Sequence, residues 1–450
     1  MRTLSELRAA TAGRQIAALS FGSQLDGVVA AAADGSALRP ALIWCDRRAG
    51  EECDAAAQRA DPERLRALTG CNLDPGHIAP KIAWLARHES EVYESAATFA
   101  CPGSWVAWRA TGTLAVDASN ASSTGLLDPR ARAWAPEACA VFDLDPARLP
   151  EVMRADAVLG PLLPWLRGAT GLGEDTLVVL GAGDEMAATL GAGVVEPGVV
   201  CDVLGTAEPV CAVVAEPAHD PTGLVELHPH ADPDSWLLEN PGWLSGGAYR
   251  WFRDELGGPE TARAAASGAD VYELLDALAE DAPPGASGVS WVPALAGAMA
   301  PEWNAHARAG WFGLTAAHGR AHLARALLEG NALALRDVIE AIAAAGHAPR
   351  EVVCVGGGAK GRLLCELRAH ATGLPVSVPD DVETTARGAA MLAAAGVGLH
   401  PSVAAAGAAM ACPRGEPVQP DPELEGVYDD LHRRHRRLYQ ALKPLFDGAE

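Results

Sequence analysis

The sequence has no pair of cysteines at C-x-x-C spacing, although it contains ten cysteines. That excludes the common zinc-ribbon and dithiol arrangements. It leaves scattered, reduced, mostly buried thiols, as expected of a cytosolic protein. Positive charge is also scarce, with 35 Lys and Arg against 58 Asp and Glu and a net charge of −23. This balance argues against a general nucleic-acid surface and against an anionic membrane as partner. Long apolar runs are missing. The opening residues MRTLSELRAATAGRQ have no apolar signal core, and the Ala-rich stretch 389–412 is interrupted by GLHPS, so neither reads as a targeting or membrane segment. No repeat of solenoid period occurs. An anionic ligand would need a local site made of glycines, helix ends, a few cations and metal.

What is present is a 450-residue chain with 49% apolar and 21% charged residues, enough for two or three domains and a large core. Residues 4–12 read as the end of a helix. QIAALSFGSQLDGVVAAAADG reads as strand, turn, strand, and RPALIWCDRR as a further strand with a charged end. Residues 80–98 and 103–110 are expected to be mainly helical, and 125–160 to be loop with short helices. TLVVLGAGDEMAATLGAGVVEPGVVCDVLGTAEPV reads as strand, Gly turn, helix, Gly turn, strand. Strands around 210–239, a helix from about 245 and a long helix near 320–345 follow. Then EVVCVGGGAKGRLLCELRAHATG runs from a short apolar strand into glycines and a helix, with Gly373 as its stop. Alternating strands and helices in two halves predict α/β domains flanking a cleft, with a boundary near residue 196.

Several constellations could carry chemistry. Asp184 follows a strand and opens a helix; alone it reads as an N-cap, yet a carboxylate there could also accept a proton or hold a metal. Gly205 and Thr206 lie at a hairpin turn, which can be plain or can wrap phosphates with backbone N–H groups and a hydroxyl. Trp44, Asp46 and Arg48 alternate, so in a strand they share one face. An aromatic beside a carboxylate and a guanidinium suits a sugar, and equally a surface Asp–Arg pair with a half-buried Trp. Gln24 and Asp26 sit on a Gly-flanked turn after a strand. Gly356, Gly357 and Gly358 allow close backbone approach to a ligand, or simply a tight turn.

Taken together and in this order, these segments resemble the FGGY family of carbohydrate kinases, most of all its xylulokinase-like branch, over nearly the whole chain. The segments carrying the resemblance are RPALIWCDRRAGEECD, HIAPKIAWLARHESEVY, WRATGTLAVDASNASSTGLLD, GAGDEMAATLGAGVVEPGVVCDVLGTAEPV, GWFGLTAAHGRAHLARALLEGNALALRD and VGGGAKGRLLCELRAHATGLPV with ETTARGAAMLAAAGVG. The resemblance implies two actin-like, ribonuclease-H-like domains, 1–195 on the sugar side and 196–450 on the nucleotide side. It implies transfer of the γ-phosphoryl group of ATP, with Mg²⁺, to a hydroxyl of xylulose or a related pentulose or polyol. Asp184 would be the general base and would reach Mg²⁺. Gln24, Asp26, Trp44 and Asp46 would face the sugar. Gly205 and Thr206 would meet the phosphates, and Gly356, Gly357, Gly358 and Ala359 the adenosine. A cytoplasmic location and a homodimer accord with the family.

The chain also departs from the family pattern. Xylulokinases have Met-His after the substrate Gln, where Leu25 and Asp26 stand here. The second phosphate motif G-T-S-G is Gly205-Thr206-Ala207-Glu208, which loses a hydroxyl and is expected to add a negative charge near the phosphates. LAGAMAP at 295–301 lacks a Glu-Arg pair. The family's opening D-x-G-T strand is absent, so the first domain is expected to be truncated at its N-terminus and to fold poorly. The alternative reading is a kinase homologue or gene fragment that binds sugar or nucleotide without transferring phosphate.

Overall fold

The computed structural model describes residue 6, residue 11 and residues 14–446. The helix expected over 4–12 falls largely outside the described residues. The second half is organised by a six-stranded sheet in the order Glu226–Pro229, Trp236–Trp243, Glu208–Val214, Val199–Val203, Glu351–Val355, Val376–Ser377. The first four strands are antiparallel neighbours. Val199–Val203 pairs in parallel with Glu351–Val355, which pairs in parallel with Val376–Ser377.

Both faces of this sheet are covered, which is why the central strand Glu351–Val355 carries the unbroken apolar run Val352–Val355. Along Glu351–Val355, side chains alternate between two cores. Val352 and Cys354 join Val200, Leu238, Leu335 and Val338 beneath the long helix Arg320–Ala344. Val353 and Val355 join Cys201, Val213, Met186 and Met391 on the opposite face.

That opposite face is covered by two helices, Asp184–Gly191 and Thr384–Gly396, which cross closely. A Cβ on Gly191 would lie 1.9 Å from the Thr384 carbonyl oxygen, and one on Gly388 would lie 1.9 Å from that of Ala187. Only glycine permits the crossing at either position. The helix that begins at Asp184 is therefore clamped between the second-half sheet and a helix from near the C-terminus.

The first half is built from short ladders. Ala18–Leu19 pairs in parallel with Leu177–Val179, and Gly22–Ser23 with Ala182–Gly183. Val29–Ala31 pairs with Thr98–Ala100, and Ala115–Asp117 with Glu151–Met153. Its core gathers Val28, Leu42, Ile78, Ile82, Leu85, Phe99 and Leu126 around the helix Ile78–His88.

RPALIWCDRR is not a strand. Only Leu42 pairs, in an isolated bridge with Val28, and the chain then turns, with the Asp46 N–H donating to the Ile43 carbonyl at 3.0 Å. Trp44, Asp46 and Arg48 therefore belong to an exposed turn rather than to one face of a strand.

Candidate active site

The parallel ladder Gly22–Ser23 with Ala182–Gly183 sets the site. Its register pairs Ser23 with Gly183, so the next residues, Gln24 and Asp184, leave neighbouring strands at the same end. Asp184 is the first residue of its helix, and Gly183 occupies the N-cap position, so the capping role open to Asp184 from sequence is not the one it has. Backbone N–H groups of Asp184 itself, Glu185 and Leu25 near its carboxylate favour the ionised form, but burial outweighs them and pushes the carboxyl up to about 6, with Glu239 adding to the rise. The turn is braced from below by the helix Ala118–Ser122. Asp117 caps that helix through the Ser119 and Asn120 N–H groups, and the Ser119 hydroxyl accepts the Gly183 N–H at 3.0 Å.

Asp26 adopts a left-handed backbone, φ +58°, a conformation that Asp tolerates better than most residues. Lys81 holds it there. The Lys81 ammonium is buried and donates to the carbonyls of Asp26 (2.8 Å), Ile43 (2.9 Å) and Gly76. One cation thus binds the Asp26 turn, the Trp44 turn and the loop before the helix Ile78–His88. The Asp26 side chain meets Nδ1 of His77 at 2.9 Å. Trp44 is 56% exposed beside this group, and Asp46 is bound by Arg48, at 2.8 Å and 3.0 Å to its two oxygens.

Residues that sequence reasoning did not single out complete the floor. His77 Nε2 lies 3.2 Å from Glu226 Oε1, which also accepts the Asn72 N–H at 2.5 Å. His228 Nε2 lies 3.5 Å from Glu226 and 3.3 Å from Glu239, while its Nδ1 meets the Ser122 hydroxyl at 2.8 Å. Glu239 in turn neighbours Glu185, whose carboxyl is pushed well above the usual range by burial and by that neighbour. Burial works against ionised Glu226, yet His77 and His228 prevail and hold it at about 2. The only sequence signal for His77 and Lys81 was their place in HIAPKIAWLARHESEVY.

The glycine turns expected to meet the nucleotide are brought together by Leu204. Its N–H donates to the Val355 carbonyl at 2.8 Å, and its carbonyl accepts the Gly358 N–H at 2.9 Å. The turn at Gly205-Thr206 thereby lies against the turn at Gly356–Gly358. Gly356 has φ +82°, and a Cβ there would lie 2.9 Å from the Leu204 carbonyl oxygen. Gly357 is exposed, and a Cβ on it would meet nothing within 4 Å. The Ala359 methyl packs into the core, so only its backbone can face a ligand. The Gly247 N–H donates to the Thr206 carbonyl at 2.9 Å, closing the turn onto the helix Gly246–Leu256.

Glu208 corrects an expectation. It does not place an exposed charge beside the Gly205-Thr206 turn. It is fully buried and pairs with Arg368 at 2.6 Å, while Arg368 Nε takes Asp202 at 2.8 Å. The Arg is itself buried, so this is an internal ion triad tying the helix Arg362–Thr372 to the sheet.

Among the described residues, no helix is long and apolar enough to cross a membrane. Residues 2–191 match the N-terminal domain of the FGGY family of carbohydrate kinases, and residues 202–397 match its C-terminal domain. The chain is 33% identical over 452 residues to the autoinducer-2 kinase of Escherichia coli, covering 98% of this chain and 83% of that one. It superposes on the xylulose kinase of Rhodospirillum rubrum with a TM-score of 0.89 at 29% identity, covering 99% of this chain and 88% of that one. It superposes on the gluconate kinase of Lactobacillus acidophilus with a TM-score of 0.88 at 25% identity, covering 98% and 87%. The matches to both family domains and to solved kinases across both halves show that the chain is a two-domain, actin-like sugar kinase and belongs to the FGGY family of carbohydrate kinases.

Proposed function

We propose that the chain transfers the γ-phosphoryl group of ATP to a hydroxyl of a small uncharged ketose or polyol, such as xylulose or a related pentulose. The observation that carries the uncharged acceptor is the state of the cations around Asp26. Lys81 is taken by three carbonyls, Arg47 by Asp74 at 2.9 Å and 2.6 Å, Arg48 by Asp46, and both His77 nitrogens by carboxylates. What remains to meet a ligand is acceptor-rich. Carboxylates bind hydroxyl groups well and repel an acid.

In this reading Asp184 takes the proton of the attacking hydroxyl. Its raised carboxyl keeps it basic enough for that role and still ionised at neutral pH. Gln24, Asp26, Trp44 and Asp46 orient the sugar, with the Trp44 ring free to cover C–H faces. With a domain boundary between residues 195 and 196, the Gly205-Thr206 and Gly356–Gly358 turns lie on the opposite wall. There the open space beyond Gly357 and the exposed backbone suit a nucleotide. Mg²⁺ also fits, because it needs only one or two carboxylates beside nucleotide phosphates, and Asp184 is one. When bound, it would neutralise charge on the transferring phosphoryl group. Reliance on ATP places the enzyme in the cytoplasm.

The test is ADP release with a panel of acceptors: xylulose, other pentuloses, small polyols, autoinducer-2 and gluconate. Uncharged acceptors should be turned over and gluconate refused. Turnover of gluconate in preference to all uncharged compounds would sink the proposal. Autoinducer-2 belongs in the panel because of the 33% identity to kinases named for it. If sugars bind without any ADP release, the non-transferring homologue is the better description.

A further inference from the structure

We propose that His77 is a positioning residue that couples acceptor recognition at Asp26 to the second domain. This rests on the reading of Asp26 as a sugar-facing group. His77 is buried and is the N-cap residue of the helix Ile78–His88. One ring nitrogen meets Asp26 at 2.9 Å and the other meets Glu226 at 3.2 Å. Asp26 belongs to the sugar-side turn, whereas Glu226 belongs to the edge strand of the second-half sheet. The same junction is sewn by the backbone, since the Leu227 N–H donates to the Gly70 carbonyl at 3.0 Å and the Asn72 N–H donates to Glu226 at 2.5 Å.

The line does not stop at Glu226. His228 lies within 3.5 Å of it, Glu239 lies 3.3 Å from His228, and Glu239 neighbours Glu185, the residue after the base. Alternating acids and imidazoles thus run from Asp26 to Glu239, which sits beside Glu185 at the start of the Asp184 helix. The groups facing His77 are Asp26, Glu226, His228 and the Cys71 thiol, which donates to the Ser122 carbonyl at 3.2 Å. Burial disfavours a charge on His77, but Glu226 and Asp26 prevail and raise it well above the ordinary imidazole range. Protonated, both ring N–H groups donate to carboxylates, and Asp26 is fixed in its left-handed turn. Once the proton is lost, one nitrogen can no longer donate and the Asp26 side chain loosens. Acceptor affinity should then weaken as pH rises through the raised His77 value.

The experiment compares wild type with His77→Gln and Glu226→Gln. Binding of an uncharged panel sugar is measured by calorimetry without nucleotide, and KM and kcat are measured with MgATP. Either substitution should raise the acceptor KM and Kd about tenfold, the loss of one charge-assisted hydrogen bond. The KM for ATP should stay unchanged, and the alkaline weakening of acceptor binding should disappear in His77→Gln. The two changes should be non-additive in the double variant. If His77→Gln does not fold, Glu226→Gln carries the same expectation. Unchanged acceptor affinity in the folded variants overturns the inference and leaves the kinase reading intact. Wild-type protein that binds no uncharged sugar at all overturns the acceptor reading and this inference together.

Discussion

Around Asp26, proposed here to face the sugar, the structure is held by side chains that bind one another and nearby carbonyls. Asp26 is gripped by His77, Lys81 ties three carbonyls, and Asp46 is pinned by Arg48. Around Gly205-Thr206 and Gly356–Gly358, proposed here to face the nucleotide, it is held by backbone. Leu204, Gly205, Gly356 and Gly358 bring two strand ends together, and the charged residues nearby, Asp202, Glu208 and Arg368, are sunk in the core and turned to one another. The difference suits the proposed ligands. A sugar must be told from other sugars, which takes placed donors and acceptors. Every ATP presents the same phosphates and base, for which a close backbone turn suffices. Where side chains do the work, polar substitutions should change affinity. Where backbone does it, only substitutions that move the backbone should.

The largest expected effect is on the chemistry shared by both walls. Asp184→Asn should cut turnover by ~10²- to 10⁴-fold while sugar binding persists. Near-normal ADP release from that variant would remove Asp184 from the mechanism. Next comes the buried triad. Arg368→Met leaves Asp202 and Glu208 without their partner and should cost about 3–5 kcal/mol of stability, read from denaturant unfolding. A drop in activity per folded molecule with unchanged stability would instead mean that the triad faces the phosphates. A third effect is set by pH. Because burial raises the Asp184 carboxyl to about 6, it is ionised above that value and protonated below it. The kcat/KM for the acceptor should therefore fall about tenfold for each pH unit below that point. A profile flat down to pH 5 would count against it as the base.

The strand and helix around the Gly-rich turn were legible, and the physical reason is plain. A strand covered on both faces reads as an uninterrupted apolar run, and Gly373, with φ +70°, stops its helix as expected. RPALIWCDRR has the same apolar look and misled. Ile43 and Trp44 are exposed because Lys81 draws the Ile43 carbonyl inward and turns the chain, a tertiary contact that no local pattern encodes. Glu208 misled for a related reason. A charge next to a turn looks solvent-facing until an Arg 160 positions away supplies its partner in the core. The polar floor was illegible altogether. His77 and Glu226 are 149 residues apart, and isolated His and Glu residues carry no spacing signal.

The smallest effects sharpen the contrast between the walls most. Gly356 and Gly357 are neighbours with opposite constraints. Gly356→Ala forces a side chain into a left-handed backbone against the Leu204 carbonyl, and should cost ~1–2 kcal/mol of stability as well as ATP affinity. Gly357→Ala adds a methyl into open space and should leave stability within ~0.5 kcal/mol. Any rise in its KM for ATP then cannot come from strain. It must come from the methyl occupying room that the nucleotide uses. Denaturant unfolding and ATP kinetics on this pair of variants separate a turn that merely needs glycine from a turn shaped around a ligand. A Gly357→Ala enzyme with unchanged stability and unchanged KM for ATP would move the nucleotide away from this turn and leave Gly205-Thr206 as its contact.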